Sequence, residues 1–193
     1  MVISIGPDKI KTAVFISGTG SNLKSLIKFS KTDRSPISID LIVSNNPKAK
    51  GLIYGKKYKI RKKILIFNDF NSIENELIYT LEKNQIKMIC LAGFMKILSK
   101  NFIQKFEGKI LNIHPSLLPK YKGLNTHQRV LDNNEKFSGC TVHFVNSRLD
   151  SGKIILQKKV KILKNETKNS LAKKILKQEH RLYPKAILKI FSF

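Results

Sequence analysis

The sequence predicts one α/β domain with an open, twisted, mostly parallel sheet, an antiparallel C-terminal portion and a long C-terminal helix. The first observation is that β-rich runs alternate with segments of helical apolar spacing, a pattern typical of right-handed βαβ units. The second is that the last two β-rich runs follow one another across a short polar break, which favours antiparallel pairing at the end of the sheet.

The parallel portion is expected to alternate strands with helices. The predicted strands are short apolar runs, at 12–17, 37–47, 63–67, 86–93 and 109–113. The segments between them place apolar residues at helical spacing and are predicted to be helices, at 22–29, 49–58, 71–84 and 94–106. The run IKMICLAG at 86–93 is apolar throughout, which indicates a central strand covered on both faces.

The antiparallel portion is predicted from GCTVHFVN at 139–146 and KIILQKKVKIL at 153–163, with the turn-like SRLDSG between them. Residues 169–191 follow with apolar side chains at helical spacing and predict the closing helix. No repeat or low-complexity linker interrupts the chain. We therefore expect a single domain over 1–193, with a loose N-terminal arm at 1–9.

Composition restricts the class of protein. At 193 residues and 41% hydrophobic content, the chain suits one globular domain with a sizeable core. Its start lacks the apolar run of a signal peptide, and no later run is long enough to span a membrane. Cys90 and Cys140 lie inside apolar runs without a pairing pattern, so we expect buried free thiols and a cytoplasmic protein.

The net charge of +24, from 37 basic and 13 acidic residues, favours an anionic partner such as RNA or a phosphorylated metabolite. The basic residues are nearly all lysines, however, and they recur along the whole chain without one concentrated block. Together with the abundance of Ile and Asn, this spread favours a compositional bias and a solvated surface over a dedicated nucleic-acid face.

A glycine-rich turn, ISGTGSNLKSLI, joins the first strand to the first helix. Such a turn directs backbone N–H groups and the helix dipole at an anion. It is not a dinucleotide fingerprint, because Leu23 stands where the third glycine would fall, and no Gly-Lys-Ser/Thr follows to make a Walker loop. Gly20, Ser21 and Asn22 suit a single phosphate. The alternative is a plain turn with Ser21 or Asn22 as the helix N-cap.

The stretch LNIHPSLLPKY places Asn112 and His114 two residues apart at the end of a strand, so both lie on one face. Pro115 then ends the strand. On this stretch alone, a histidine that only caps a loop is the simpler interpretation. Asp150 lies in the turn between the last two β runs. A carboxylate beside His114 would favour the imidazolium, and an imidazolium beside an amide N–H would stabilise an oxyanion on a carbonyl.

A metal site is not expected. The remaining candidate ligands, His127 and His143 with Cys90 and Cys140, fit no zinc-binding spacing. His143 alternates within a strand and is predicted to be structural, and His127 is predicted to shape the loop after the proline segment.

Taken together, these motifs resemble the phosphoribosylglycinamide formyltransferase family, the folate-dependent glycinamide ribonucleotide transformylases of purine synthesis. The resemblance spans residues 12–190 and is carried, in family order and spacing, by ISGTGSNL, LAGFMKILS, LNIHPSLLPKYKG, GCTVHFVNSRLDSGKIILQ and QEHRLYP. It implies a Rossmann-like fold with a phosphate-binding half at 12–110 and a catalytic and folate-binding half at 111–193.

The resemblance also implies roles for individual residues. Asn112, His114 and Asp150 would form the catalytic trio. The ribonucleotide would be bound by Gly20, Ser21 and Asn22 at its phosphate and by Glu179 at its glycinamide end. The folate would be bound by Met95, Lys96, Ile97, Leu98, Asn112, Asn146, Ser147, Arg148 and Leu149. Lys96 departs from the family pattern, in which arginine is common at this place, and this weakens the case for a planar contact there.

The chemistry implied is direct attack of the ribonucleotide amine on the formyl group of 10-formyltetrahydrofolate, which acts as co-substrate. His114 as imidazolium and Asn112 would stabilise the tetrahedral oxyanion, while Asp150 would raise the pKa of His114. No metal is needed, and the partners expected are small molecules, with the protein a monomer or homodimer.

Three alternatives remain open from the sequence. A tRNA formyltransferase would give the +24 charge a use but needs a C-terminal domain. A formyltetrahydrofolate deformylase typically carries an additional N-terminal domain. A basic nucleic-acid-binding derivative of such an enzyme would bind RNA with steep salt dependence, although the intact trio argues against it.

Overall fold

The fold is described by a computed structural model over residues 9–66 and 73–191. Its strands are β1 (Ile10–Ile16), β2 (Ile37–Ser44), β3 (Arg61–Ile64), β4 (Met88–Leu91), β5 (Lys109–His114), β6 (Phe137–Phe144) and β7 (Ile154–Lys161). Its helices are α1 (Ser21–Ser30), α2 (Ile53–Tyr58), α3 (Glu74–Lys83), α4 (Lys100–Lys105), α5 (Thr126–Asp132) and α6 (Lys168–Phe191), with a short 3₁₀ turn at Lys50–Leu52 before α2.

The strands form one seven-stranded sheet in the order β3-β2-β1-β4-β5-β6-β7. The pairs from β3 to β5 are parallel, and β5-β6 and β6-β7 are antiparallel. The predicted mixed sheet and long C-terminal helix are therefore confirmed. From β1 the chain proceeds outwards to β2 and β3 and then crosses to β4 on the other side of β1. Parallel sheets keep their ligand crevice at such a reversal, outside the carboxyl ends of the strands.

Two apolar layers sandwich the sheet. On one face, β-strand residues such as Val14 and Leu111 pack against α1 and α6, and on the other face Phe15 and Ile89 pack against α3 and α4. Cys90 and Cys140 are buried free thiols, as predicted, and burial raises the pKa of each to about 12.

Helix α6 passes through Pro184 without ending. Proline has no N–H to donate to the carbonyl four residues earlier, that of His180. The Ser25 hydroxyl of α1 donates to this carbonyl instead, at 2.8 Å. The carbonyl oxygen that Pro184 leaves without a partner inside α6 thus accepts a hydrogen bond from α1, and this links the two helices that cover one face of the sheet.

Tyr183 fixes α6 to the strands below the crevice. Its side chain is fully buried, and its hydroxyl lies 3.1 Å from the carbonyl oxygens of both Leu91 and Leu111.

Tyr183→Phe is expected to lower the free energy of unfolding by about 1 kcal/mol, because the two buried carbonyl oxygens lose the hydroxyl that donates to them. Urea denaturation measures the effect, and Tyr79→Phe, on a ring that is 62% exposed, is the control expected to change nothing. Equal stability of the two variants would contradict this role.

Several predicted boundaries were wrong. The helix predicted at 94–106 is confined to Lys100–Lys105, where the Ser99 hydroxyl caps it by accepting from the Phe102 N–H at 3.0 Å. The segment before it, 94–98, has no regular secondary structure. Helix α5 was not predicted. The predicted arm falls almost wholly on residues 1–8, which lie outside the described part of the chain, as does Phe67 of the third predicted strand.

None of the helices in residues 9–66 and 73–191 combines the length and apolar character that a bilayer span requires.

Candidate active site

A cleft of about 860 Å³ lies over the carboxyl ends of β4 and β5 and reaches the start of α1. Its lining comes from the start of α1, the segment after β4, the end of β5, the loop between β6 and β7, and α6. This is the position that the reversal of strand order predicts for a ligand. Of the residues predicted to bind or react, all line the cleft except Gly20 and Ser21, which adjoin the lining residue Asn22.

The structure brings the predicted catalytic trio together. Asn112 and His114 lie on one face of β5, and Asp150 approaches both from the β6-β7 loop. The His114 Nδ1 atom is 3.3 Å from Asp150 Oδ2, and the Asn112 amide nitrogen is 3.4 Å from Asp150 Oδ1. His114 is 5% exposed, so this ion-pair geometry operates largely out of water.

The loop after Pro115 holds both ends of this pair. The Tyr121 carbonyl oxygen lies 2.8 Å from His114 Nε2, and the Gly123 N–H donates to Asp150 Oδ2 at 2.8 Å. Tyr121 is itself anchored, because its hydroxyl donates to Glu135 at 2.9 Å. Backbone groups of one short segment thus position both the histidine and the aspartate. The local sequence around each residue does not indicate these contacts.

The pKa of His114 is lowered from its usual 6.5, although Asp150 acts to raise it, as expected. Burial is the largest cause. The Tyr121 carbonyl and the Asp150 carboxylate both favour the imidazolium, but together they do not overcome desolvation, to which His143 and Arg129 add repulsion. A negative charge arriving beside His114 would raise this pKa and favour the imidazolium.

The pKa of Asp150 is lowered from 3.8 in spite of burial, which alone would raise it. The neighbouring His143 ring, the hydrogen bond from the Gly123 N–H and the nearby His114 together outweigh the desolvation. Asp150 also has a φ of 46°, in the left-handed region that non-glycine residues seldom adopt. The carboxylate is thus kept ionised in a turn shaped to present it.

His143 belongs to the site, although the sequence pattern indicated only a structural role. It pairs directly with Asn112 across β5 and β6, and its Nε2 atom is 3.3 Å from the Asn112 amide nitrogen and 3.7 Å from Asp150 Oδ1. The alternation in TVHFV is a sequence signal that places His143 on one face of its strand. The sequence does not give the strand register that brings this face beside Asn112.

The glycine-rich turn begins α1 differently from either predicted N-cap. Gly20 is the N-cap, with a φ of 70°, and no side chain in the described part of the chain caps the helix. A Cβ atom on Gly20 would lie 2.7 Å from the Gly51 Cα atom, so glycine is required both by conformation and by this close approach. Among the described residues, no side chain accepts a hydrogen bond from the first-turn N–H groups, which is the arrangement that anion-binding helix termini share.

Asn22 turns its side chain to Glu179 of α6. Its amide nitrogen donates to Glu179 Oε2 at 2.7 Å, and its Oδ1 atom is buried with no partner among the described residues. Glu179 is 7% exposed, and burial raises its pKa above 4.5, with the Asn22 hydrogen bond opposing the shift. A buried carboxylate and an unpaired amide oxygen thus face the cleft together, both suited to a ligand that donates hydrogen bonds.

Glu179→Gln is expected to stabilise the ligand-free protein at neutral pH. Because the folded pKa is raised, the carboxyl group disfavours folding progressively as the pH rises from 4.5 through the folded pKa, and glutamine does not ionise. The melting temperature of the variant should exceed that of the parent by about 2–4 °C at pH 7, with no gain near pH 4. Thermal melts at both pH values test this, with Glu107→Gln on the surface as the control. A gain independent of pH would contradict it.

The opposite part of the cleft is apolar. Met95, Ile97 and Leu149 are 60%, 70% and 52% exposed and line it, and Leu124, which the sequence interpretation missed, is 73% exposed there. Leu98 lines the same region but is buried at 5%. Exposed apolar side chains gathered in one concavity indicate a flat organic ligand.

Polar members of the predicted folate set surround this apolar part. Lys96, Asn146, Ser147 and Arg148 line the cleft and are exposed. The Asn146 side-chain oxygen accepts from the Arg148 N–H at 3.0 Å, which shapes the start of the β6-β7 loop.

His127 was predicted to shape a loop, but it lies in helix α5. Its side chain lines the cleft. Its pKa is lowered by burial and by the charges of Lys168 and His114, and its Nδ1 atom is buried without a partner in the described ranges. Within those ranges, no cluster of histidine, cysteine and carboxylate side chains could hold a metal ion.

The family model for formyl transferases matches residues 10–187. This chain belongs to the formyl transferase family. A family member from Haemophilus influenzae, phosphoribosylglycinamide formyltransferase, is 40% identical over 180 residues, which cover 92% of this chain and 85% of that protein. The phosphoribosylglycinamide formyltransferase of Brucella melitensis, in its crystal structure, shares 40% identity at a TM-score of 0.89, over 95% of this chain and 96% of that one.

Longer family members contain the same unit as one part. The trifunctional purine biosynthetic protein adenosine-3 of Gallus gallus is 42% identical over 186 residues, which cover 95% of this chain but only 18% of that protein. The chain thus spans about a fifth of the length of such multifunctional relatives.

Proposed function

We propose that this protein transfers the formyl group of 10-formyltetrahydrofolate to the amine of N1-(5-phosphoribosyl)glycinamide, a step of purine biosynthesis. The observation that carries this proposal is the His114–Asp150 pair, 3.3 Å apart, within one cleft that also holds a buried carboxylate and an exposed apolar part. Two different ligands are needed on either side of the pair, and the relatives named phosphoribosylglycinamide formyltransferase cover nearly the whole chain.

The ribonucleotide end is assigned to the start of α1 and to Glu179. The uncapped N–H groups at Gly20, Ser21 and Asn22 suit a single phosphate. Glu179, held by Asn22 at 2.7 Å, is placed to accept hydrogen bonds from the glycinamide amine and amide. The pteridine ring of the folate is assigned to the apolar part, between the segment 95–98 and the loop 146–149. In this proposal, phosphate binding belongs chiefly to residues 12–110 and catalysis to 111–193.

The reaction proceeds by attack of the neutral amine on the formyl carbon. A C–N bond forms and the carbonyl π electrons move to oxygen, which gives a tetrahedral oxyanion. The amine proton then passes to N10 of the folate, directly or through water held by Asp150, and the C–N10 bond breaks as the carbonyl re-forms. Asn112 and His114 stabilise the oxyanion.

The lowered pKa of His114 fits this sequence of events. Negative charge that develops on the neighbouring oxygen raises this pKa again, because opposite charges attract strongly in a site removed from water. His114 therefore holds a proton taken up from solvent while the oxyanion exists and can return it as the carbonyl re-forms. The imidazolium is favoured most where the oxyanion is present, and this differential stabilisation accelerates the reaction.

The test is a folate absorbance assay with 10-formyltetrahydrofolate, run with and without the ribonucleotide. Release of tetrahydrofolate only when the ribonucleotide is present, with formylated ribonucleotide as the second product, is the expected result. Release without the ribonucleotide would replace the proposal with a deformylase. No release in either case by a folded protein would overturn it, and formylation of methionyl-tRNA would assign the tRNA activity.

A further inference from the structure

His143 and Asn112 form a directly opposed pair on neighbouring antiparallel strands, in the interior of the cleft. His143 is 2% exposed, so its ring nitrogens exchange hydrogen bonds only with the protein or a ligand. Side chains opposed in this way are held by both backbones, so their relative position is fixed by the sheet itself.

The protonation of His143 follows from its partners. Its Nδ1 atom is 2.8 Å from the Phe144 carbonyl oxygen, which can only accept a hydrogen bond. The proton of the neutral ring is therefore on Nδ1, and Nε2 carries a lone pair. That lone pair faces the Asn112 amide nitrogen at 3.3 Å and accepts one of its hydrogens.

The orientation of the Asn112 amide follows in turn. The two nearest polar atoms, His143 Nε2 and Asp150 Oδ1, are both acceptors, so the NH₂ group must face them and the carbonyl oxygen must face away. A flipped amide would direct its oxygen at a carboxylate. The second N–H has only the longer 3.4 Å contact with Asp150. It is the hydrogen that a substrate oxygen can capture at small cost.

We propose that His143 is a positioning residue for formyl transfer: its unprotonated Nε2 atom holds one Asn112 N–H, so that the other is presented to the oxyanion. The inference rests on the proposed function. It assigns His143 no contact with the substrate; its effect passes through the amide of Asn112. Without this acceptor the amide is held only by its longer contact with Asp150, and the donor is correctly placed only part of the time.

Two variants separate this role from a structural one. His143→Asn keeps a donor for the Phe144 carbonyl but is too short to reach Asn112. His143→Gln has the length to offer an oxygen near the place of Nε2. We expect His143→Asn to lower kcat by about 10- to 100-fold with little change in either KM, and His143→Gln to recover most of that loss. Ser138→Ala removes a buried hydroxyl of the same strand that has no hydrogen-bond partner among the described residues, and it should leave kcat unchanged.

A double-mutant cycle with Asn112→Ala decides whether the effect passes through Asn112. In the Asn112→Ala background, His143→Asn should lower kcat by no more than about 2-fold, because no amide remains to be oriented. An equal loss of kcat in both backgrounds would overturn the inference, as would full activity of His143→Asn or a glutamine variant no better than asparagine. An inactive parent protein would instead overturn the proposed function.

Discussion

Replacing His114 with alanine is expected to lower kcat by about 10²–10⁴-fold. The variant loses the group that gains a proton as the oxyanion forms, while Asn112 and the binding surfaces on both sides of it remain. Steady-state kinetics of formyl transfer should show the loss in kcat with both KM values nearly unchanged, because the ligands are bound chiefly by other residues. Such a pattern is the signature of an interaction made only in the transition state.

The stability of His114→Ala is expected to depend on pH differently from that of the parent protein. Burial lowers the folded pKa of His114 below 6.5, so the unfolded chain binds its proton first, and His114 destabilises the fold as the pH falls below 6.5. His114→Ala removes this dependence and should be relatively more stable under acid conditions than at pH 7. His180→Ala is the control for turnover, since that histidine does not line the cleft; burial lowers its pKa too, so this variant should share the gain in acid but keep the parental kcat. Turnover near the parental rate in His114→Ala would refute the assigned role.

Asp150→Asn is expected to lower kcat by about 10²–10³-fold, with the fold retained. Asparagine has the shape of aspartate and can still accept the Gly123 N–H, which bonds to Asp150 at 2.8 Å in the parent. It carries no negative charge, however, so the imidazolium of His114 loses a favourable interaction that the carboxylate provides at 3.3 Å. Asp132→Asn, on the exposed surface of α5, is the control for a neutralised carboxylate elsewhere.

Two pH measurements distinguish this explanation from simple disruption. The pKa of His114, followed by NMR titration, should be lower in Asp150→Asn than in the parent, because Asp150 raises it against the effect of burial. The folded pKa of Asp150 is itself lowered, so its stabilising contribution is present above 3.8 and lost as the pH falls through the folded value. The variant should therefore lose less stability than the parent on acidification. An unchanged His114 pKa would show that the pair is not coupled.

The sequence determined the class of fold and most of the site's contents. Alternating β-rich and helical segments were sufficient for the parallel sheet, because periodicity and turn-forming residues act between neighbours along the chain. The same holds for LNIH, which put Asn112 and His114 on one face of a strand. The glycine-rich turn located the start of α1, although Gly20 and not Ser21 or Asn22 caps it, since close approach to Gly51 is a contact between distant residues.

Tertiary structure decided what depends on residues far apart in the chain. It placed His143 against Asn112 through strand register and paired Asn22 with Glu179 across the cleft. It also left the segment after β4 irregular, where apolar spacing alone had predicted a helix. Above all, it lowered the pKa of His114 in spite of the expected upward effect of Asp150, because the energy of a charge depends on how much water is removed from around it. Local sequence specifies which groups are presented, whereas burial by the rest of the molecule determines their protonation.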